Sequence, residues 1–452
     1  MDRRNIIFLD TAAYRERAVS NHPQFRHINS APEGYVFVYA DKLEEEKERI
    51  ACKLFWGVKL TEEDEKVFEE LTARRRAVER EKDKLICYCK DHGISEETYI
   101  QYLRVVDFER GSDQIPLRKE LMFCPSYLFS LQQSPFIIEI ESIWTLFFPF
   151  ILQSDSRDAH IRDGEVFSLV SYLLRRRECI CVLTHMKLTE NCIRKNFAPE
   201  IANKVKYVSL GVPRANVMCK TYQKPFGDKI RLLFTCSWHQ FGFENRGGLD
   251  LLAAFENLCK KYDNLELTMK CRLPDNLNAA YCDIISRHKD RIHVISGKLS
   301  DQEMDALMQN TDIYVLPAMD MHIISILNTM AMGIPLVVGD ALGVEEYVED
   351  NVNGLTVKGR GGRSSWLDED GVERYDYSSG FTGDAEFAAN LAERLDELIA
   401  DNELRYRITR NAVRDANGKY SVERMNKDLK TVFDECYQTI VQSVEKEEGG
   451  KS

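Results

Sequence analysis

One stretch of the sequence has the pattern of a strand, a turn, a helix and a second strand, and its turn could bind a phosphate. Residues 313–316 are a short apolar run that ends at Pro317. Gly333 closes the following helical segment before the apolar run 336–338. Backbone N–H groups at the start of such a helix point outward with the positive end of the helix dipole, which favours an anion.

Basic residues occur at the ends of two further predicted strands. Arg246, Gly247 and Gly248 follow a predicted strand and open a helix, so a cation stands beside backbone that glycine lets a ligand approach closely. Lys270 and Arg272 lie at the end of the next predicted strand. The carboxyl ends of parallel strands share one edge of a sheet, so we expect these cations to surround the same anion. A plain turn is the commoner meaning of Arg-Gly-Gly alone.

These motifs resemble the donor site of the retaining, nucleotide-sugar-dependent glycosyltransferases of family four. Asp320 and Asn328 stand where that signature has two glutamates, and Arg246 stands where it has the lysine of Lys-Gly-Gly. Gly211-Val-Pro213 resembles the last strand of the family's N-terminal domain, and residues 340–355 resemble its closing segment. The resemblance is strong over residues 205–357, moderate over 134–204 and poor over 1–133.

The resemblance implies a GT-B fold of the α/β class, with two facing Rossmann-like domains and a helical insertion in the N-terminal one. We expect an acceptor-side domain over residues 1–215, with the insertion at about 42–110 and a linker near 212–228. A nucleotide-sugar-binding domain would follow over residues 216–425. Residues 426–452 would form a helix that crosses back to the first domain, with a frayed tail from residue 445.

The resemblance also implies roles for individual residues. Asp320, Arg246 and Lys270 are the predicted catalytic residues, with Asp320 accepting hydrogen bonds from hydroxyls of the donor sugar. A helix N-cap is the structural alternative for Asp320. The predicted donor-binding residues are Gly247, Gly248, Arg272, Lys298, Leu299, His322, Ile323, Ile324 and Asn328. His322 could donate to a phosphate or a sugar hydroxyl, and a structural turn residue is its alternative.

Acceptor binding is predicted at the ends of two strands of the first domain. Residues 134–141 form an apolar strand that ends in Glu139 and Glu141, and His185 follows another strand. In a parallel sheet such strand ends face the ligand crevice. A structural cap or surface role is the alternative for the two glutamates.

Two departures from the family pattern leave a second function open. Asn328 hydrogen-bonds but carries no charge, and residues 321–324 replace the usual Gly-Phe-Gly. The main hypothesis is a metal-independent, retaining hexosyltransferase that uses a UDP- or GDP-sugar to extend a glycan, glycolipid or other acceptor, such as a polysaccharide. The alternative is a non-catalytic binding or partner subunit of the GT-B fold. A related epimerase would need paired carboxylates and a histidine in the cleft, which the sequence does not place there.

Composition limits the class of protein. The chain has 452 residues, 44% hydrophobic and 30% charged, with a net charge of −12. These values fit a globular protein of several domains and argue against a nucleic-acid partner. The start of the chain lacks a signal-peptide pattern, and its 13 scattered cysteines indicate reduced core thiols, so we expect a cytoplasmic protein. We predict no cofactor and no metal site.

Two segments suggest contacts with other molecules. The charged helical stretch 44–90 carries a narrow apolar stripe at Val67, Leu71, Val78 and Leu85. This stripe either packs on its own domain or forms a self-associating coiled coil. The aromatic residues of 144–150, together with Arg175, Arg176 and Arg177, suit a peripheral membrane contact with a lipid-linked acceptor or a partner protein. A buried core helix is the simpler interpretation of 144–150.

Overall fold

The computed structural model describes residues 4–8, 31–39, 49–50, 52–54, 58–108, 121–125, 134–147, 164–213, 226–236, 242–319, 322–360 and 382–449. These residues group into two compact units. The first contains the described residues up to Ser209 and those from Met425 onward, and the second contains those between. The predicted domain boundary at residue 215 lies outside the described residues, and so does most of the predicted linker.

Parallel strands form the sheet of the first unit in the order β2-β1-β3-β4-β5-β6. The strands are β1 (Arg4–Phe8), β2 (Tyr35–Tyr39), β3 (Leu121–Pro125), β4 (Phe136–Ile140), β5 (Cys179–Thr184) and β6 (Val205–Tyr207). All five residues of β4 are buried, which explains the apolar run that predicted it. The strand β3 was not predicted.

The helices of the first unit connect these strands and cover the sheet. They are α1 (Glu62–Asp91), α2 (Glu96–Phe108), α3 (Glu165–Arg175), α4 (Lys187–Asn196) and α5 (Pro199–Ala202). The long helix α1 begins at Thr61, whose side chain forms a capping box with Asp64. The helices α1 and α2 lie between β2 and β3 in the chain, and their description as an insertion stays a prediction.

The apolar stripe of α1 packs within its own unit over the second half of the helix. Val78 and Leu85 are buried, and the Tyr88 ring stacks on Tyr172 of α3 with centroids 4.2 Å apart. Arg176 is also buried and pairs with Glu81 at 3.3 Å. This guanidinium therefore does not offer the exposed charge that a membrane contact at 175–177 would use. Residues 143–147 form a 3₁₀ turn in which Ile143, Thr145, Leu146 and Phe147 are buried, and residues 148–150 lie outside the described part of the chain.

The second unit has a parallel sheet in the order β12-β11-β10-β7-β8-β9. Its strands are β7 (Ile230–Thr235), β8 (Leu265–Lys270), β9 (Ile292–Ile295), β10 (Ile313–Leu316), β11 (Leu336–Gly339) and β12 (Leu355–Val357). Its helices are α6 (Gly242–Asn245), α7 (Gly248–Leu258), α8 (Ala279–Arg287), α9 (Asp301–Gln309), α10 (Ile323–Ala331), α11 (Ala385–Ala400) and α12 (Asn402–Asn417). The predicted α/β class with two Rossmann-like sheets is confirmed.

The last helix, α13 (Val422–Gly449), passes from the second unit into the first at Met425. Its buried residues recur every three or four positions, as on one face of a helix. They are Met425, Leu429, Val432, Phe433, Cys436 and Ile440. The helix α13 continues as far as Gly449 through glutamates and lysines that are good helix formers, and the predicted fraying from residue 445 stays a prediction. Residues 450–452 lie outside the described part.

Candidate functional site

The chain reverses direction within the second sheet between β7 and β10. From β7 it builds β8 and β9 on one side, and it then returns to place β10 on the other. The loops that leave two such neighbouring strands at their carboxyl ends diverge, and the crevice between them is where ligands of open α/β sheets bind. The loop after β7 carries Arg246, and the loop after β10 leads to His322.

These two loops are in direct contact. The backbone N–H of Met319 donates to the carbonyl oxygen of Asn245 at 2.9 Å. Gly247 has a φ of 77° and forms the N-cap of α7. A Cβ atom built on it would lie 2.2 Å from the carbonyl oxygen of Pro317. Only glycine combines this left-handed backbone with so close an approach.

Gly248 is constrained by a second contact. A Cβ atom there would lie 2.5 Å from the ring of Phe243. The structure thus gives both glycines a packing reason, and their predicted approach to a phosphate stays a prediction. The packing contacts of the two glycines are compatible with a bound phosphate, because the tight turn that they allow places the start of α7 at the edge of the crevice.

Arg246 lies half-buried in this turn, next to a chain of hydroxyl groups. The Tyr314 hydroxyl of β10 lies 2.5 Å from Oγ1 of Thr235 on β7, and Ser325 of α10 hydrogen-bonds to it as well. Burial raises the pKa of Tyr314, and the nearby Arg246 charge opposes that rise. The hydroxyls therefore join β7, β10 and the first turn of α10 beside the Arg246 cation. A tyrosine within an otherwise aliphatic buried strand was the signal for this network that the sequence analysis missed.

Lys270 and Arg272 differ in what they can offer. Lys270 is half-buried at the end of β8, and no ion pair forms at its ammonium group within the described residues. Arg272 is exposed and pairs with Asp275 at 3.0 Å. The Arg272 charge is thus already compensated by an exposed carboxylate, so Lys270 is the better candidate for an anion.

The helix α10 begins immediately after His322, one of the predicted donor-binding residues in the loop after β10. His322 is half-buried and is its N-cap, although its side chain caps no backbone N–H. The side chains of Ile323 and Ile324 are buried in the core, so only their backbone N–H groups could contact an anion. Asn328 is half-buried on the same helix. Asp320, the predicted catalytic carboxylate, lies outside the described residues, and so does Met321.

The loop after β9 contains the last predicted donor-binding residues. Lys298 is exposed and Leu299 is half-buried. They follow Gly297, which has a φ of 88°, and precede the Ser300 cap of α9. Residues of this loop thus lie at the carboxyl edge of the sheet, two strands away from β7 in the sheet order.

A buried ion pair supports the crevice from behind. Arg360 and Asp250 are each 3% exposed, and the Arg360 guanidinium hydrogen-bonds to the Asp250 carboxylate. The Nε–H of Arg360 donates to the Pro317 carbonyl at 3.4 Å, and its guanidinium lies 3.9 Å from the ring centroid of Phe387. This arginine therefore ties the end of β10 to the first turn of α7. No local motif marks Arg360, because these side-chain contacts are 27 to 110 residues away in sequence.

The predicted acceptor residues of the first unit come together. Nδ1 of His185 lies 3.9 Å from Oε1 of Glu139, and its Nε2 lies 3.4 Å from Oε1 of Glu141. The side chains of His185 and Glu139 are buried, whereas that of Glu141 is 31% exposed. Burial by itself lowers the pKa of His185, but the two carboxylates outweigh it and raise the pKa to about 9. The ring is thus an imidazolium at neutral pH.

Within the described residues no group of three or more His, Cys, Asp or Glu side chains is arranged to hold a metal ion. None of the described helices combines the length and the apolar character that a membrane span requires.

Comparison with known proteins gives a partial family match. Residues 229–366 match the family model described as Glycosyl transferases group 1. This segment contains β7 to β12 and the whole crevice between β7 and β10. No curated protein matches the chain.

Several solved structures resemble the chain at low identity. HepE of Anabaena, in complex with UDP and glucose, has 14% identity and a TM-score of 0.48, covering 74% of this chain and 80% of its own. TarM of S. aureus has 12% identity and a TM-score of 0.46, covering 70% and 55%. Sucrose-phosphate synthase of Thermosynechococcus elongatus has 15% identity and a TM-score of 0.47, covering 70% and 74%. At these scores the likenesses carry no conclusion, and the group 1 match of residues 229–366 is the finding that bears on function.

Proposed function

We propose that this protein is a glycosyltransferase that moves a sugar from a nucleoside-diphosphate sugar to a hydroxyl of an acceptor, with retention of configuration and without a metal ion. The proposal rests mainly on one observation. A half-buried arginine and the start of two helices line the crevice between β7 and β10, inside the segment that matches group 1 glycosyl transferases. These are the groups that a departing diphosphate requires.

The chemistry assigns a task to each side of this crevice. When the bond between the anomeric carbon and the diphosphate breaks, the diphosphate leaves with the electron pair. Arg246 and Lys270 would neutralise that charge, and the N–H groups that open α7 and α10 would donate to its oxygens. The acceptor hydroxyl oxygen forms the new bond to the anomeric carbon, and its proton passes to an oxygen of the departing diphosphate.

The first unit would bind the acceptor through His185, Glu139 and Glu141. The imidazolium of His185 has no free lone pair for a proton at neutral pH, and both of its ring nitrogens face the two glutamates, so it would position these carboxylates and would not act as a base. The carboxylate of Glu141 is the part of this cluster open to solvent, and it would accept a hydrogen bond from an acceptor hydroxyl. We propose a glycan or a lipid-linked sugar as the acceptor class.

A non-catalytic binding subunit of the same fold is the second candidate. The uncharged Asn328 and the buried side chains of Ile323 and Ile324 favour it, because they reduce the polar side chains available to a donor on α10. The two candidates differ in turnover. A subunit would bind a nucleotide without releasing the sugar or forming a product.

Calorimetric titration with UDP, GDP, ADP, CDP and their common sugar conjugates, with and without magnesium, tests the donor site. We expect one base to bind without metal and the Arg246→Ala variant to lose at least about tenfold in affinity, since a hydrogen bond to a charged group contributes about 1.5–3 kcal/mol. Arg231→Ala is the matched control, because Arg231 is an exposed arginine at the opposite end of β7. Equal binding by Arg246→Ala and wild type would contradict the placement of the diphosphate.

Turnover is measured on the same proteins by release of the free nucleoside diphosphate and by labelled sugar transfer. Donor binding together with Arg246-dependent release supports the transferase. Binding without release or transfer over a broad acceptor panel supports the non-catalytic subunit. An absence of binding across the whole panel would contradict both candidates.

A further inference from the structure

Two polar side chains of the loop after β7 each have a buried oxygen that accepts no hydrogen bond from the described residues. Glu244 and Asn245 end the short helix α6, immediately before Arg246. Oε2 of Glu244 and Oδ1 of Asn245 are both shielded from water, and neither accepts a hydrogen bond from the described part of the protein. An unsatisfied buried acceptor costs about 1–3 kcal/mol, and native proteins contain few of them.

The backbone of Glu244 and Asn245 is held by hydrogen bonds at the crevice. The Asn245 carbonyl accepts from Met319 N–H of the loop after β10 at 2.9 Å, and the Glu244 carbonyl accepts from Gly247 N–H at 2.8 Å. The two backbones are thus fully used in holding the turn. The side-chain oxygens are what remains available, on the segment that joins the two loops of the crevice.

The chemistry of the two atoms selects the kind of partner. A carboxylate and an amide oxygen both accept hydrogen bonds, so their partner must be a donor. A phosphate has no donor to offer at neutral pH and would repel Glu244. Neighbouring hydroxyls, as on a ribose or a hexose, would supply one donor to each oxygen. Each residue is only half-buried as a whole, so a change of rotamer can turn its oxygen toward the crevice.

We propose that Glu244 and Asn245 accept hydrogen bonds from neighbouring hydroxyls of the nucleotide-sugar donor and so determine which donors bind. This inference rests on the proposed function and adds two specificity residues to it. Arg246 faces the diphosphate in that arrangement, and the two residues before it face a neutral polyol. The hydroxyls belong either to the ribose or to the transferred sugar, and the test separates these two sources.

The test measures binding of UDP and GDP, their 2′-deoxy forms, UDP-glucose and GDP-mannose to wild type and to Glu244→Gln. If the ribose is the partner, we expect the variant to bind UDP or GDP about tenfold more weakly, and the deoxy form to bind both proteins alike. If the transferred sugar is the partner, the variant binds the free diphosphate normally and the sugar conjugate about tenfold more weakly. Asn245→Ala should show the same ligand dependence. Glu256→Gln is the matched control, since Glu256 pairs with Arg287 on the outer side of α7.

The stability of the unliganded variant gives a second readout. Glu244→Gln removes a partly buried charge whose Oε2 accepts no hydrogen bond from the described residues, so we expect its thermal midpoint to equal or exceed that of wild type, whereas replacing a structural carboxylate would lower it. Unchanged affinity for every ligand, in a titration where Arg246→Ala loses binding, would overturn this inference and leave the proposed function standing. Failure of wild type to bind any of the ligands would overturn both.

Discussion

The buried histidine of the first unit is a charged residue held between two acids. His185 carries its proton at neutral pH because Glu139 and Glu141 stabilise the imidazolium more than burial destabilises it. With both carboxylates ionised, the three side chains bear a net charge of −1. A cluster of this sign favours hydroxyl or amine groups over phosphates in its immediate contact.

The raised pKa makes a prediction about stability and pH. The folded-state pKa of about 9 exceeds the unfolded value of 6.5, so the stabilisation is complete below pH 6.5 and disappears as the pH rises to 9. A shift of this size corresponds to at most about 3 kcal/mol. We expect the free energy of unfolding of wild type to fall over this range by more than that of His185→Gln.

Urea unfolding at pH 6 and at pH 9.5 measures the difference. His293→Gln is the control, because His293 is exposed on β9 of the second unit. It should keep the wild-type dependence on pH. An identical dependence in wild type and His185→Gln would mean that folding does not raise the pKa of His185.

The close contact between the loop after β7 and the loop after β10 requires a glycine at position 247. Gly247 has a left-handed φ of 77° and touches the Pro317 carbonyl, so any side chain there must push the loop after β7 away from the loop after β10. We expect Gly247→Ala to weaken nucleotide binding at least about tenfold, since Arg246 and the start of α7 would move with the turn. Calorimetric titration with the preferred nucleotide measures this.

A control at a second glycine, Gly93, distinguishes the effect of backbone strain from that of the clash with Pro317. Gly93 has a similar φ of 68°, but a Cβ atom there meets nothing within 4 Å. Gly93→Ala should therefore lose only the roughly 1–2 kcal/mol of a left-handed alanine, whereas Gly247→Ala should lose more in unfolding stability. Equal losses in the two variants, with normal nucleotide binding by Gly247→Ala, would show that the contact with Pro317 is unimportant.

The elements that the sequence predicted well are those with a local signal. The strand β10 matches its predicted bounds, because it is an apolar run that is closed by a proline. The strand β3 was not predicted, although it is also an apolar run that ends at a proline, Pro125. The start of α1 was placed too early, although Thr61 and Asp64 form a capping box that the sequence displays.

The candidate site likewise has parts that a local sequence pattern predicts and parts that it does not. The turns that carry Arg246 and His322 follow from the order of strand, loop and helix. The pair of Arg360 and Asp250 joins residues 110 positions apart, and the burial of Oε2 in Glu244 depends on the packing of the loop after β7. Neither leaves a pattern in the sequence, since both arise only when distant segments meet.

The last helix of the sequence, α13, belongs mostly to the first unit, although the second unit precedes it in the chain. From Met425 onward, α13 belongs to the unit that holds β1 to β6. The ring of Phe433 lies 5.3 Å from that of Tyr35 and 6.4 Å from that of Phe123. The Tyr35 hydroxyl also donates to Asp434 at 2.5 Å. The helix α13 therefore packs on the sheet of the first unit, although it is the last helix in the sequence.

Removing the Phe433 ring should destabilise one unit and spare the other. Phe433 is fully buried, so we expect Phe433→Ala to lower the unfolding free energy of the first unit by about 3–5 kcal/mol. Val441→Ala is the control on the same helix, because Val441 is 53% exposed and should change little. Urea unfolding measures the loss, and nucleotide titration at low urea tests the second unit. Since Arg246, Gly247 and Lys270 all belong to the second unit, nucleotide affinity should be unchanged. A parallel loss of nucleotide binding in Phe433→Ala would mean that the two units do not fold as separate cooperative bodies.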